Sequence, residues 1–452
     1  MIKPALLLLA LVLGGCASPS GVERPTIDLP VEWRTPVAGP TDKPAPWELL
    51  LAEPELRALV DEALASNRNL RATAARVDQA AATFGVQRSA RFPQLAAQAS
   101  GSRGMTSSVR GADNSIYSSG QLGGILSWEL DLWGRMADAS EASRQNWLSS
   151  EEALAAARVS LVSQVAKAWL QLLQYDEQHR VATSMVGKQR ETLVYVQKRF
   201  DAGIASLVDM NQANSGLAGA EASLADISRL RSQTENALSV LLGKPPQAIP
   251  RQVDLMKLPR PQQIPAGLPA DLIINRPDVR AAERTLESTQ RSVSAAKKAW
   301  LPGFSLTGML GWVSPELSRV LADGTQAWSA GGAVSLPIFN GGSLASQLDL
   351  AEARQREAAE RYVGTVLQAL GEVEDALVGH QRISEQAGAF ERRAQATRER
   401  LRLAELRYRA GVIDYAEVLY AQQELLSAEL AVVQARGSIQ ITLIQLYAAL
   451  GG

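Results

Sequence analysis

Two stretches of this chain contain no proline: one runs from Gln94 to Lys244 and the other from Ile338 to the last residue. Both are rich in Ala, Leu, Glu, Arg and Gln, which are good helix formers. We predict long helices from about Met136 to Phe200 and from about Ser343 to Tyr408, each roughly 100 Å long at ~1.5 Å per residue. Helices of this length extend beyond any compact core, so they belong in a bundle or a coiled coil.

An internal repeat organises the chain. Landmarks in the first half recur 207 to 209 residues later, an agreement that is improbable by chance. We predict two copies of one unit, residues 54–260 and residues 261–452, each with a helix, two strands, a long helix, a hairpin turn and a helix. The matching landmarks are Asn67-Arg68 with Asn275-Arg276, Pro93 with Pro302, Gly134 with Gly341, Phe200 to Ile204 with Tyr408 to Val412, and Leu242-Gly243 with Leu450-Gly451.

A glycine interrupts each long helical stretch at the equivalent place. The segments RFDAGIASLVDM and RYRAGVIDYAEV contain Gly203 and Gly411 and have almost the same build. Glycine readily adopts the left-handed backbone that ends a helix, so each break marks the end of one helical segment. Motifs of the capping-box type then restart the helices: Ser206-x-x-Asp209 and Asp414-x-x-Glu417.

Alternating sequence patterns predict strands between the helices. In each unit the first helix, Pro54 to Arg91 or Pro277 to Trp300, stops before a proline, and two strands follow. The first pair is separated by a polar loop, residues 104–120. Even positions are mostly apolar and odd positions mostly polar over about 9–11 residues, the length of a tilted membrane strand. The alternative is a soluble sheet with one face exposed to water, which has the same pattern. The best-patterned segments are Leu122 to Leu132, Phe304 to Trp312 and Trp328 to Ile338.

The N-terminus has the pattern of a secretory signal. Lys3 precedes a nine-residue apolar run, and Gly14-Gly15-Cys16 follows. Residues 1–15 are therefore predicted to be a signal peptide, with Cys16 in the position of a lipidated first residue. An ordinary signal peptide with an incidental cysteine is the alternative. Residues 16–53 are rich in proline and are predicted to form an extended, lipidated arm.

Composition excludes several classes of function. The formal net charge is −1 with 21% charged residues, so no basic field attracts nucleic acid. The chain has two histidines, His179 and His380, and one cysteine, which makes a metal cluster or a Cys/His catalytic pair hard to build. We find no nucleophile paired with a base and expect no enzyme activity, no cofactor and no metal.

Four strands in one chain raise the question of how the sheet closes. An open edge in lipid leaves backbone groups unpaired, and four strands cannot close a barrel. Several chains must therefore contribute strands. Two chains would make a barrel filled by side chains, whereas three chains would make twelve strands around a lumen. The polar face, with Glu129 and Asp131, would line that lumen and Leu126, Leu130 and Leu336 would face lipid.

Taken together, these features resemble the TolC-like outer-membrane efflux channels. Cys16, the duplicated unit, the motifs DLWGR and LPIFNGG and the paired glycine breaks all match, most closely in the lipoprotein branch that serves resistance–nodulation–division (RND) pumps. The resemblance implies a mainly α fold with a small membrane β part: a trimeric twelve-stranded β-barrel continued by a periplasmic α-helical barrel. It also implies a passive efflux duct, lipid-anchored in the outer membrane. Its partners would be two further copies, a periplasmic adaptor and an inner-membrane RND transporter.

The same resemblance assigns roles to the two glycine breaks. They would be the periplasmic hairpin tips, and the adaptor would dock at Gly203, Ile204, Gly411 and Val412. Carboxylates near the tips narrow the pore in related channels. The matching gate candidates are Asp209, Asp414, Glu417 and Tyr420.

Some features of the tips depart from the family pattern. Tyr420 stands where an acid is common, and Ile413 where some members carry an arginine that locks the closed end. Asp209 and Glu417 can also be explained as helix caps alone. A structural lipoprotein stalk without a conducting pore is the alternative function, and the sequence does not indicate the cargo.

Overall fold

Long helices dominate the computed structural model, which describes residues 24–35, 46–106, 115–261, 269, 275–322 and 324–452. The predicted signal peptide and Cys16 lie outside the described residues. Helices α1 to α8 and strands β1 to β4 are numbered in chain order. The order is α1 Pro46–Leu51, α2 Pro54–Ser66, α3 Arg68–Ser89, β1 Gln94–Thr106, β2 Ser115–Leu130, α4 Arg135–Asp201, α5 Leu207–Leu241, α6 Pro277–Lys298, β3 Gly303–Ser314, β4 Gln326–Ser335, α7 Ser343–Arg409 and α8 Tyr415–Ala449.

The two longest helices have the same length. Helices α4 and α7 each contain 67 residues, and α5 and α8 each contain 35 residues. Each boundary of α4 and α5 recurs 208 residues later in α7 and α8. The predicted long helices are therefore confirmed almost to the residue. Within the described ranges, no helix combines the length and the apolar character needed to cross a membrane.

The first predicted helix is wrong in one respect, because it breaks at Asn67. The Asn67 backbone is extended (φ −60°, ψ 125°), which ends α2. Its side-chain Oδ1 then accepts a hydrogen bond of 2.9 Å from Leu70 N and so starts α3. Asparagine competes in this way with the helical backbone. The N-terminal arm is also not wholly extended, since α1 lies within it.

The four strands form one antiparallel sheet in the order β1-β2-β3-β4. Strands β1 and β2 extend into the predicted loop, where Gly104 pairs with Tyr117. Strands β2 and β4 also end earlier than predicted, at Leu130 and Ser335, so Asp131 and Leu336 lie outside the sheet. Strands β1 and β4 lie at the two edges of the sheet, and in the described part of the chain each pairs with one neighbouring strand.

The register of the sheet separates apolar from polar side chains. Leu126 lies opposite Leu95, and Leu310 lies opposite Trp328. These side chains share one face, and Leu310 and Trp328 are 73% and 77% exposed in the single chain. Leu310 and Trp328 are therefore left uncovered by the described part of the chain. The other face carries Gln98, Ser100, Gln121, Ser127, Glu129, Ser305, Thr307 and Ser329, and it is interrupted by larger residues that include Tyr117, Ile125, Met309 and Val313.

The end of β2 is coupled to the start of α4. Asp131 does not belong to the polar strand face as predicted, because its carboxylate accepts hydrogen bonds from Met136 N (3.0 Å) and Ala137 N (2.7 Å). It thus satisfies free N–H groups at the helix start. Glu129 remains on the polar face and forms an ion pair with Arg135 at 2.6 Å.

Two compact units make up the chain. One contains the sheet with residues 76–152 and 280–364, and the other contains residues 28–75, 153–279 and 365–452. The main apolar core of the second unit is formed by fully buried side chains of α2, α4, α5 and α8. These include Leu56, Trp169, Leu170, Leu238 and Ile444.

Corresponding helix ends are secured by different side chains. Asn67 Nδ2 donates a hydrogen bond of 2.9 Å to the carbonyl of Leu241, the last residue of α5. At the matching place, Arg276 Nη1 donates one of 2.9 Å to the carbonyl of Ala449, the last residue of α8. Arg276 is buried and also pairs with Asp278 (2.6 Å) and Glu372 (2.7 Å). Burial disfavours its charge, but these hydrogen bonds outweigh burial and hold its pKa above the ordinary value.

Replacing Arg276 tests whether its contacts at the end of α8 stabilise the fold. We expect Arg276→Met to lower the free energy of unfolding by ~1–3 kcal/mol, because it removes the side-chain donor to the buried carbonyl of Ala449 and both ion pairs. Loss of helical circular dichroism on heating measures the effect. Arg382 is the control, since its ion pair with Glu385 is exposed, and Arg382→Met should change stability by less than about 0.5 kcal/mol. Equal melting of the two variants would contradict the assigned role.

Candidate functional site at the two helix turns

The first turn joins α4 to α5 through Gly203. Its φ of 73° lies in the left-handed region that favours glycine. Ile204 N donates to Arg199 O at 2.8 Å and Gly203 N to Phe200 O at 2.9 Å. These bonds satisfy carbonyls at the end of α4, in the manner of a Schellman motif. The predicted chain reversal at Gly203 is present.

The second turn, between α7 and α8, has the same backbone. Gly411 has φ 74°, and Val412 N donates to Arg407 O at 2.9 Å. The residue after each glycine is apolar and exposed: Ile204 is 66% exposed and Val412 is 64% exposed. The two turns therefore present matching apolar side chains.

The two helix starts after the turns differ. Ser206 and Asp209 form a complete capping box: Asp209 N donates to Ser206 Oγ at 3.1 Å, and Ser206 N donates to Asp209 Oδ2 at 2.9 Å. Asp414 occupies the cap position of α8, but its side chain makes no capping hydrogen bond. The predicted second capping box is therefore wrong. Only the backbone of Asp414 engages the helix, accepting a bond of 3.3 Å from Glu417 N.

This asymmetry gives a matched pair of substitutions. Ser206→Ala should lower the free energy of unfolding by ~1 kcal/mol, because it removes the acceptor of a helix N–H group. Asp414→Ala should cost much less, since no capping bond is lost. Denaturant unfolding followed by helical circular dichroism compares the two. A larger loss for Asp414→Ala would show that its carboxylate has another role.

The gate candidates all lie at these turns but make separate contacts. Asp209 is occupied by its own helix start. Glu417 Oε2 lies 3.6 Å from Arg400 Nη2, and Arg400 also forms an ion pair with Glu424. Tyr420 is exposed. The structure therefore gives Glu417 a basic neighbour on α7, which was not predicted from the sequence.

A cluster of aromatic residues around Arg199 joins the two turns. The Arg199 guanidinium carbon lies 4.9 Å from the ring centroid of Tyr408 and 5.9 Å from that of Tyr195. The rings of Tyr408 and Tyr415 lie 5.6 Å apart. Cation–π contacts of this kind stabilise the packing of α4 against α7. Sequence reasoning missed this cluster, although Tyr408 aligns with Phe200 in the repeat.

Burial perturbs the cluster's phenols. Tyr415 is fully buried, and its hydroxyl has no hydrogen-bond partner among the described residues. Desolvation, with a smaller contribution from Tyr408, raises the pKa of Tyr415 to about 12. The Tyr408 hydroxyl also lacks a partner in the described chain, and desolvation raises its pKa. Both phenols are therefore neutral at physiological pH.

The histidines make structural contacts. His380 is buried, its Nε2 lies 2.8 Å from Pro261 O and its Nδ1 lies 3.2 Å from Thr442 Oγ1. Desolvation lowers the pKa of His380. His179 Nδ1 lies 3.5 Å from Thr183 Oγ1. Among the residues that the structure describes, no group of three or more His, Cys, Asp or Glu side chains is placed to hold a metal ion.

Comparison with known proteins adds an independent line of evidence. The sequence profile of the family described as outer membrane efflux protein matches residues 59–244 and 268–452. The chain is 36% identical to outer membrane protein OprJ of Pseudomonas aeruginosa over 474 residues, which cover 100% of this chain and 97% of that protein. It is 32% identical to the toluene efflux pump outer membrane protein TtgC of Pseudomonas putida over 463 residues, covering 99% and 95%.

Solved structures show the same fold. A membrane protein from Pseudomonas aeruginosa superposes with a TM-score of 0.89 at 35% identity, covering 96% of this chain and 100% of that chain. The open state of the MtrE outer membrane channel of Neisseria gonorrhoeae superposes with a TM-score of 0.85 at 30% identity, covering 97% and 98%. The predicted fold class, long helices with a small β part of four strands per chain, is confirmed.

Proposed function

Because the chain belongs to the outer membrane efflux protein family and is an outer-membrane efflux channel, we propose that three copies of it form one passive duct. The observation that carries this proposal is the four-stranded sheet. Among the described residues it has two unpaired edges, an apolar face with exposed side chains such as Leu310 and Trp328, and a mostly polar face. Three such sheets joined edge to edge make twelve strands with the apolar face toward lipid and the polar face toward a lumen. The duct does no chemistry of its own, and we expect no enzyme activity.

The helices would continue the duct into the periplasm. Helices α4, α5, α7 and α8 from three copies supply the wall of a helical barrel. A passive duct needs an external energy source for efflux. The resemblance to channels that serve RND pumps implies that a periplasmic adaptor and an inner-membrane RND transporter would complete the assembly. Selection of cargo then lies with the transporter.

The N-terminus would anchor the protein to lipid. Cys16, carrying lipid through a thioether at its sulfur, would hold the arm at the outer membrane. Residues 24–35, which contain neither helix nor strand, would lead from that anchor into the chain. Loss of the anchor need not abolish transport, because the barrel itself inserts.

The adaptor would dock at the two turns through Gly203, Ile204, Gly411 and Val412. The exposure of Ile204 and Val412 supports this assignment, since exposed apolar side chains at matching sites offer a repeated contact.

Substitutions that introduce a negative charge at the two turns test whether the adaptor docks there. Ile204→Asp combined with Val412→Asp should abolish efflux in cells while trimers remain in the outer membrane, because a buried carboxylate opposes apolar docking. Drug susceptibility and membrane fractionation measure the two effects. Val240→Asp is the control, since Val240 is also 64% exposed but lies at the other end of α5. Full resistance in the double variant would contradict docking at these residues.

The gate candidates Asp209, Asp414, Glu417 and Tyr420 would narrow the periplasmic end. In a trimer Glu417 and Asp209 each occur three times around one axis, and rings of carboxylates attract cations. Arg400 beside Glu417 would moderate that charge.

Single-channel recording in planar bilayers tests both the duct and its gate. Wild-type protein should conduct and prefer cations. Glu417→Gln with Asp209→Asn should lower the cation preference by several-fold, because the ring loses its charge but keeps its hydrogen-bonding shape. If the double variant conducts with the same cation preference as wild type, Glu417 and Asp209 have a structural role only. Absence of any conductance in wild type would favour the non-conducting stalk.

A further inference from the structure

The internal repeat indicates how the two edges of the sheet meet between copies of the chain. Building on the proposed trimer, we infer that β4 of one copy pairs with β1 of the next copy in one particular register. In that register Ser335, the last residue of β4, lies opposite Gln98 of the next copy. Ile338, which follows the end of β4, packs against Leu95 of the next copy. The partner that fits each edge is therefore a second copy of this chain.

The repeat is exact within the sheet. A shift of 209 residues carries β1 onto β3, and a shift of 208 residues carries β2 onto β4. Under these shifts the pair Leu95–Leu126 becomes the pair Phe304–Val334, which is observed. Every other pair between β3 and β4 follows in the same way from a pair between β1 and β2. The two hairpins of the chain therefore have one register.

The contact between the two hairpins is the template for the contact between copies. Three copies place six such hairpins around one axis, and a ring closes when one interface is repeated around it. Within the chain β2 pairs with β3, so the same operation pairs β4 with β1 of the next copy. The observed pairs and their counterparts between copies are Ser127–Thr307 with Ser335–Gln98, and Leu130–Phe304 with Ile338–Leu95.

This register keeps both faces of the sheet continuous across the junction. Ser335 and Gln98 both belong to the polar face, whereas their neighbours Val334 and Ala99 would meet on the apolar face. A slip of one residue would reverse the faces of one strand relative to the other. The alternation of side chains thus excludes registers that are displaced by one residue.

Exposed apolar side chains near the two edges support the same register. Leu130 and Phe304, which pair within the chain, are both partly buried. Their counterparts in the repeat, Ile338 and Leu95, are 93% and 79% exposed in the single chain. Contact between Ile338 of one copy and Leu95 of the next would shield both side chains from water, which is favourable.

Paired cysteines test the register. Ser335→Cys with Gln98→Cys should give covalent trimers on a non-reducing gel after mild oxidation. Residues directly opposite have Cβ atoms about 4.5–5.5 Å apart, close to the separation that a disulfide needs. A disulfide within one chain is excluded, because β2 and β3 lie between β1 and β4. Each single variant gives the background, including that from any free thiol of Cys16.

Matched controls move one cysteine along β1 by two residues on the same face. Ser335→Cys is combined with Ala96→Cys or with Ser100→Cys, whose Cβ atoms would lie about 7–8 Å from that of residue 335. Both control pairs should cross-link several-fold less than Ser335→Cys with Gln98→Cys. Native gels and single-channel recording of the same samples report assembly and conductance.

The apolar contact has its own pair of variants. Ile338→Cys with Leu95→Cys should cross-link neighbouring copies, and Ile338→Cys with Ala97→Cys is the displaced control. Stronger cross-linking of a control pair would overturn the register, and so would no cross-linking in protein that runs as a trimer on a native gel. Either result leaves the proposed duct intact. Wild-type protein that forms no trimer would instead contradict the proposed duct, and the inferred pairing with it.

Discussion

Each 67-residue helix ends at a turn in which a glycine of positive φ reverses the direction of the chain. The packing of all the long helices depends on these two reversals. A helix of this length has no core of its own and is stable only when an apolar face is packed against other helices. The turns at Gly203 and Gly411 return the chain along its own path as α5 and α8. The buried side chains of α4 and α8, among them Trp169 and Ile444, can then form one core.

The two repeats meet the same backbone demands with different side chains. The boundaries of the long helices recur at a fixed distance along the chain, yet Asn67 caps the end of α5 where Arg276 caps the end of α8. Likewise, Ser206 caps α5 through its side chain, whereas Asp414 makes no such bond. A helix end always leaves free carbonyl and N–H groups, but several side chains or water can satisfy them. The repeated backbone is therefore more uniform than its stabilising contacts.

Much of the fold could be predicted from local sequence, because helix-forming composition, proline and glycine positions and period-two patterning act over a few residues. The ends of α4 and α7 and the glycine turns were predicted in this way. The strand ends were placed less well, since Asp131 and Leu336 continue the alternating pattern after the hydrogen-bonded register has stopped.

Contacts between distant segments could not be predicted. Arg199 reaches Tyr408 only because two turns from opposite halves of the chain lie side by side. The pairing of Arg400 with Glu417 likewise requires α7 and α8 to be packed in a particular register.

The free edges of the sheet constrain the order of events during biogenesis. On its outer side, each of the edge strands β1 and β4 has a row of backbone N–H and C=O groups that pair with no other strand in the described part of the chain. In water these groups are hydrated, but in hydrocarbon each would cost several kcal/mol. A lone chain therefore cannot enter the bilayer first and find its neighbours afterwards. Edge pairing between subunits must precede or accompany insertion, which makes the yield of mature protein depend steeply on the local concentration of newly exported chains.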